Sequence, residues 1–300
     1  MSFCTDVKNE LIAKRPPKYG KPILLYGFML FGRSFSYRKI GLQTANETVA
    51  DYYAALLHEV YGITPLRGLG GGVRPTYRVS VPSETDRLKI LASFDYGMTE
   101  TAINRTVFEN RRAAELFFRG VFLACGTVSD PNREYRLDLS VRAEQTAREL
   151  FDLLREYGIE GCIAKRTNGY TVYLRKSEMI ENFLALIGAS ERCLGVIEAS
   201  IIKELKNNIN RKNNCDSANI SKTVEASLRQ RGAIAKLEAA GLLYSLPPEL
   251  YQVAILRQNN PEVSLRELCR MSTEPISGSG MNHRLQRLME LADELDKKKK

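Results

Sequence analysis

Leu24-Leu25-Tyr26-Gly27-Phe28-Met29-Leu30-Phe31-Gly32 and Phe118-Arg119-Gly120-Val121-Phe122-Leu123-Ala124-Cys125-Gly126 decide the fold. Each is an apolar run with a glycine inside it and another at its end, and each opens a copy of the same succession of elements. Gly27 and Gly120 lack a Cβ, so two helices can approach closely there, across a tightly packed pseudo-twofold core. In the first copy the segment 22–31 leads to a strand-like 35–43, a helix over 46–61 stopping at Gly62, a hairpin over 66–81 and a helix over 84–94. In the second, a helix over 112–124 leads to an alternating strand at 135–141, a helix over 144–157 stopping at Gly158, a hairpin turning at Asn168-Gly169, and a helix over 176–187. Tyr61-Gly62-Ile63 and Tyr157-Gly158-Ile159 hold the same place in the two copies, the mark of an internal repeat. Gly62 and Gly158 supply the left-handed residue after a helix. Asn168-Gly169 predicts a type I′ turn with positive φ at both central residues. The expected architecture is helix–hairpin–helix–hairpin–helix, duplicated into one domain with a sheet saddle open to solvent.

The chain has 300 residues, 44 Lys+Arg against 35 Asp+Glu, a formal charge of +9 and 44% hydrophobic residues. That is room for about two domains with real cores, which excludes a small disulfide-stapled scaffold. Met1-Ser2-Phe3-Cys4-Thr5-Asp6 has no secretory pattern and 23–31 is too short to span a bilayer, so a cytoplasmic protein with no membrane partner is expected. The six cysteines (Cys4, Cys125, Cys162, Cys193, Cys215, Cys269) are never closer than 22 residues; they read as reduced and mostly buried, with no CxxC pair for zinc or redox chemistry. His58, in a helical segment, reads as structural. With His283 as the only other histidine, metal sites and Ser–His–Asp arrangements have too few parts, and no metal, cofactor or catalytic residue is expected. Gly68-Leu69-Gly70-Gly71-Gly72 is followed by no Lys-Ser/Thr and reads as a hairpin tip rather than a phosphate cradle. Nothing in the sequence identifies a base for Cys125 as a nucleophile.

After Ser190 the pattern turns helical: a helix over 192–205, a polar hinge at 207–214, a second helix over 217–240 ending at Gly241, and a third over 249–258 opened by Pro247-Pro248. Ser264-Leu265-Arg266-Glu267 has capping-box spacing and starts a short helix reaching Met271. After a turn at 272–276, Ser277 caps a longer helix whose apolar Met281, Leu285, Leu288 and Ala292 recur at spacings of 4, 3 and 4. Its opposite side carries Ser279, Asn282, His283, Gln286 and Arg287, side chains suited to phosphates and base edges. Short helix, turn and longer helix is the arrangement of a helix-turn-helix reader; an ordinary helical hairpin in a bundle is the competing explanation. Between Lys203 and Lys236 eight basic residues, among them Lys222, Arg229 and Arg231, face three acidic ones, a band that suits a phosphate backbone. Residues 297–300 read as a basic tail.

The chain resembles the WhiA family of bacterial regulators over nearly its whole length. Four segments carry the match: Ser2-Phe3 with Val7-Lys8-Asn9-Glu10-Leu11; Phe118 to Gly126 continued by Thr127-Val128-Ser129-Asp130-Pro131; Asn214-Cys215-Asp216-Ser217-Ala218-Asn219-Ile220-Ser221-Lys222-Thr223; and Ser277-Gly278-Ser279-Gly280-Met281-Asn282-His283-Arg284-Leu285. The resemblance implies an N-terminal domain similar to LAGLIDADG homing endonucleases, a helix-turn-helix module, and a role in cell division, chromosome segregation and, in sporulating relatives, sporulation. In LAGLIDADG nucleases a carboxylate near the end of each signature helix helps to hold divalent metal. Here Gly32 and Cys125 stand at those positions, so both metal-binding acids are missing. Relatives usually carry Lys where this chain has Gly278, which removes one phosphate contact.

The expectation is therefore an α+β chain: a duplicated LAGLIDADG-like αββαββα domain over 1–190, a helical linker over 191–217, an all-α helix-turn-helix domain over 218–296 and the tail 297–300. Its partner is double-stranded DNA, contacted by Ser277, Ser279, Asn282, His283, Arg284, Gln286 and Arg287 with Lys222, Arg229 and Arg231. The first domain serves as a docking platform for DNA or a regulatory protein. The expected function is non-enzymatic, nucleoid-associated transcriptional regulation. The alternatives are a surviving endonuclease using displaced acids such as Asp130 or Asp138, and a low-specificity architectural or segregation factor. Oligomeric state is left open.

Overall fold

A computed structural model of the chain describes residues 2–71, 75–96, 102–107 and 110–298. The chain divides into two compact units, Met1–Lys203 and Glu204–Lys300. The first unit opens with α1 (Phe3–Ala13), an element for which the sequence offered no periodicity argument. One repeat follows as α2 (Lys21–Leu30), β1 (Ser34–Phe35), β2 (Ile40–Thr44), α3 (Glu47–Tyr61), β3 (Leu66–Gly70), β4 (Thr76–Ser80) and α4 (Glu84–Ala92). The other is α5 (Arg111–Cys125), β5 (Gly126–Val128), β6 (Leu137–Val141), α6 (Glu144–Glu156), β7 (Cys162–Arg166), β8 (Gly169–Leu174) and α7 (Ser177–Leu186). Both copies thus have the expected αββαββα order. Their antiparallel sheets, β1-β2-β4-β3 and β5-β6-β8-β7, share one strand order, which is the duplication made visible.

Local chemistry sets the elements. The Asn46 side chain accepts from Val49 N to start α3, and Gly62 at φ 71° ends it. Gly158 at φ 75° follows α6 in the same way. Along β6, Leu137, Leu139 and Val141 are buried while Asp138 and Ser140 point to the other face. At the centre, α2 and α5 meet at their glycines. A Cβ on Gly120 would stand 2.9 Å from Phe28 N and nearer still to Leu24 O; one on Gly27 would stand 3.1 Å from Val121 N and nearer still to Phe117 O. Tyr26, Phe28, Phe117, Phe118 and Phe122 are fully buried around this contact.

Three expectations are corrected here. Residues 35–43 are not one strand: Ser36 and Lys39 exchange 3.0 Å backbone hydrogen bonds and fold the segment into a hairpin. The second-copy turn is shifted by one residue, with Gly169 paired opposite Arg166 so that Thr167 and Asn168 occupy the corner. Neither of those has positive φ; only Gly169 does, at 138°, where a Cβ would stand 2.5 Å from Val141 O. The cysteines are free but not mostly buried: Cys193 is buried, Cys4, Cys125 and Cys269 are half-buried, and Cys162 and Cys215 are exposed. The proposed hairpin tip ends at Gly72, which lies outside the described residues, although β3 and β4 flank it.

The second unit is all-α. It contains most of α8 (Ser190–Ala239), then α9 (Pro248–Asn259), α10 (Leu265–Met271) and α11 (Gly278–Lys298). The expected hinge at 207–214 is absent, since α8 is one continuous helix. Between Gly195 and Gly232 the sequence has neither glycine nor proline, and asparagine costs a helix only a few tenths of a kcal/mol, so nothing interrupts the hydrogen-bond ladder. Ile234 and Leu237 of α8 join Leu243, Val253, Leu268, Met281, Leu285, Leu288 and Ala292 in a core of this unit's own. Among the described residues no helix is long and apolar enough to cross a membrane.

The start of α8 is held by the first unit's opening helix. Glu10 accepts from the Glu191 and Arg192 amides at 3.0 and 3.1 Å and from Lys14 Nζ at 2.8 Å. Burial alone would raise its pKa, but these hydrogen bonds and the Lys14 charge outweigh it and hold the carboxyl below the usual range. The stabilisation is complete above the ordinary glutamate value of about 4.3 and is lost as the pH falls through the depressed folded value. Glu10→Gln is expected to cost about 1.5–3 kcal/mol at neutral pH and to flatten this acid-side slope, as followed by urea denaturation at several pH values.

Candidate nucleic-acid interface

In the second unit, α10 and α11 are set by their caps. Ser264 Oγ accepts from Glu267 N at 3.3 Å while Glu267 returns a 2.9 Å bond to Ser264 N, closing the capping box. Those bonds hold the Glu267 carboxyl below its usual range. Ser277 Oγ accepts from Gly280 N at 3.1 Å at the start of α11, so this hydroxyl serves the cap. The loop before α10 is fastened by the buried Arg257, whose guanidinium donates to the Asn260 and Val263 carbonyls at 3.3 and 2.9 Å.

Two faces of α11 diverge as the spacing predicts. Met281, Leu285, Leu288 and Ala292 are buried. Ser279, Asn282, His283 and Gln286 are exposed, and among the described residues Asn282, His283 and Gln286 make no hydrogen bond or ion pair through their side chains. The two arginines differ from these. Arg284, 24% exposed, is drawn 3.0 Å from Glu249 on α9, and Arg287 is held at 3.1 Å by Glu290 and 3.9 Å by Glu294. Ser279, His283 and Arg287 line a groove of about 540 Å³ that continues to Pro247 and Leu250 at the start of α9.

On α8 Lys222, Arg229 and Arg231 are all exposed, but they do not share a face. At about 100° per residue, Arg229 lies beside Lys222 while Arg231 falls roughly 200° away. Arg211, Lys222, Arg229 and Lys236 form the true row, within about 40° of one another, with Lys236 already paired to Asp296 at 2.6 Å. Two exposed bases were missed in the sequence: Arg266 and Arg270 on α10. Their i, i+4 spacing on the short helix was the available signal.

In the first unit, Gly32 follows Phe31, the C-cap of α2, and a Cβ there would stand 3.0 Å from the Gly41 and Phe28 carbonyl oxygens. Cys125 closes α5 and its Sγ donates to Val121 O at 3.3 Å. Burial pushes this thiol up to about 12, against the opposing pull of Lys8. The buried Lys8 ammonium donates to Leu123 O at 3.4 Å and lies 5.7 Å from the Phe122 ring centroid, with burial lowering its own pKa. A neutral thiol and the buried Lys8 amine thus occupy the neighbourhood of the second expected acid. Of the displaced acids, Asp130 accepts from Asn132 N at 2.9 Å, while Asp138 accepts from Arg136 Nε at 2.9 Å through one oxygen and has its other oxygen buried without a partner. Among the described residues no cluster of three His, Cys, Asp or Glu side chains could hold a metal ion.

A duplicated αββαββα unit built on two glycine-bearing central helices, joined to a capped helix-turn-helix unit, defines a LAGLIDADG-like protein with a DNA-binding module. Family models agree: residues 114–206 match the WhiA LAGLIDADG-like domain and residues 209–292 match the WhiA C-terminal HTH domain. The chain belongs to the WhiA family. It is 33% identical over 318 residues to "Probable cell division protein WhiA" of Thermoanaerobacter sp. (strain X514), covering 100% of this chain and 99% of that protein. It is 38% identical over 210 residues to the protein of the same name from Clostridium novyi (strain NT), covering 70% of this chain and 65% of that one. The crystal structure of full-length DUF199/WhiA from Thermatoga maritima shares the fold, with a TM-score of 0.61 at 21% identity over 98% of this chain and 99% of that one. The N-terminal LAGLIDADG domain of DUF199/WhiA matches with a TM-score of 0.50 at 18% identity, covering 62% of this chain and 92% of that one.

Proposed function

We propose that the protein is a sequence-specific, non-enzymatic DNA-binding regulator acting in cell division and chromosome segregation, and in sporulating hosts in sporulation. It would work in the cytoplasm, on the nucleoid. The observation that carries this is the polar face of α11: Asn282, His283 and Gln286 are exposed with their side chains uncommitted, on a helix whose other face builds the core. Amide side chains there can read adenine edges in a major groove. Ser277 and Ser279 flank the groove entry, Arg287 reaches phosphate by exchanging its glutamate partners, and Arg284 acts by fixing α11 against α9. Lys222 and Arg229, with Arg211 in the same row, supply sequence-independent affinity, and Arg231 contributes from another face. The functional division proposed is 1–190, a helical connection over 191–217, reading over 218–296 and the tail 297–300, with the first domain docking DNA or a regulatory protein.

The absence of carboxylates at Gly32 and Cys125 supports a non-cleaving scaffold over a displaced nuclease. Fluorescence anisotropy of the full chain on a duplex recovered by chromatin immunoprecipitation tests the proposal. Asn282→Ala and Gln286→Ala should each cost about 1–3 kcal/mol on that site and leave random duplex unaffected. Lys222→Ala with Arg229→Ala should weaken both duplexes alike and flatten the salt dependence, by about one unit of slope per lost phosphate contact. Equal losses on both duplexes in the α11 variants would favour the architectural factor. Plasmid cleavage with Mg²⁺ that Asp130→Ala abolishes would favour the nuclease.

A further inference from the structure

Where the first sheet's β1 approaches the second sheet's β6 and the β7–β8 hairpin, the first unit forms a cavity of about 520 Å³ that is open to solvent on one side. Three arginines line it from three separate elements: Arg33 after α2, Arg142 between β6 and α6, and Arg166 at the end of β7. No Asp or Glu lines it. Among the described residues none of the three is in an ion pair with an acidic side chain. Burial, with the Arg33 charge adding to it, holds Arg142 below its ordinary value, so two like charges are kept close without a counter-charge. The wall also contains Ser34, whose Oγ is buried with no hydrogen-bond partner. Fold stability does not call for such an arrangement, since like charges held together without a partner are destabilising.

We propose that this cavity is a binding site for a phosphorylated small molecule of nucleotide size, with Arg33, Arg142 and Arg166 on the phosphoryl oxygens. Guanidinium groups pair with phosphate bidentately through a planar fork, and a cavity of this volume lies within the usual range for small-molecule sites. Phe31 and Phe35 from the first repeat and Tyr170 from the second line it as well, aromatic surface suited to a ring or base. Tyr170 is steadied by a 2.6 Å bond to Glu144, whose carboxylate is also matched by Arg148 at 2.6 Å. The hairpin side is built rather than loose: at Gly169 the backbone of β8 presses on Val141 and Arg142 with no room for a Cβ. The proposal is independent of DNA reading by α11 and adds a small-molecule ligand to the protein.

Isothermal titration of the full chain with inorganic pyrophosphate and with ATP, without metal, tests it. Saturable one-to-one binding is expected. It should weaken roughly tenfold or more in Arg142→Ala with Arg166→Ala, the loss of at least one strong charged contact, and stay unchanged in Arg67→Ala, a surface arginine outside the cavity. Circular dichroism melts of the unliganded variants keep folding separate from binding. No saturable binding at millimolar ligand, or equal binding by the double variant, overturns the proposal. A parallel titration with an excess of duplex DNA separates the two sources of phosphate. Retained pyrophosphate binding supports the small-molecule site. Displacement by duplex, with duplex affinity lost in the double variant, makes the cavity a DNA-backbone contact and overturns it.

Discussion

Gly120→Ala should destabilise the first unit by about 3 kcal/mol or more, at the upper end of overpacking costs. The added methyl would press on Leu24 O and Phe28 N, which belong to a helix backbone and cannot turn aside as a side chain would. Relief requires α2 and α5 to separate, which loosens the packing of Tyr26, Phe28, Phe117 and Phe122, all fully buried beside the contact. Gly27→Ala presses on Phe117 O in the reciprocal way. Because both substitutions open the same gap, the double variant should cost less than the sum of the singles. Gly232→Ala is the internal control: a Cβ on that helical glycine would meet nothing within 4 Å, and alanine there should stabilise α8 by up to about 1 kcal/mol. Urea denaturation reads both effects. An unchanged midpoint for Gly120→Ala would show that the helices do not meet this closely.

Leu285→Ala should remove about 2–5 kcal/mol from the second unit. Leu285 is 1% exposed in the middle of α11, in the core formed with Val253 of α9, Leu268 of α10 and Leu237 of α8. That core is small, so one cavity is a large share of its stability. Hydrogen exchange should show faster exchange across α9 to α11 while the amides of α2 and α5 stay protected. DNA affinity should fall as well, on specific and random duplex alike, because the folded reader is depopulated. That pattern separates a core residue from Asn282 and Gln286, whose removal is expected to weaken only specific binding if they read bases as proposed. If Leu285→Ala binds normally and keeps its exchange protection, α11 does not anchor this core.

The duplication was legible because two short apolar segments repeat and each copy closes a helix with glycine after tyrosine. The caps at Ser264 and Ser277 were equally plain, since a cap is a relation among residues three apart. What sequence reasoning missed depended on partners further away. The polar run 207–214 suggests a hinge by composition, but it holds neither glycine nor proline, and its asparagines continue the helix instead of capping a new one. The register at Asn168-Gly169 was set by how β8 lies against Val141, not by the dipeptide. Lys222, Arg229 and Arg231 were grouped by proximity along the chain, whereas the helix rotation puts Arg231 elsewhere and brings in Arg211. The sequence places Arg284 and Arg287 among the DNA contacts but cannot show that Glu249, Glu290 and Glu294 stand beside them. The arginine-lined cavity was invisible because its three cations come from distant parts of the sequence and meet only when both repeats are in place.

Glu10 and Lys14 have partners near the far end of the first unit: Lys14 Nζ donates to Gly188 O at 2.8 Å, and Glu10 holds the amides of Glu191 and Arg192. During synthesis the opening helix therefore leaves the ribosome long before its partners exist. At translation speeds of about 5–20 residues per second, it waits roughly 10–40 s. Native closure of this unit must follow nearly two hundred rounds of elongation, and until then its first helix is an open end on which a chaperone can act.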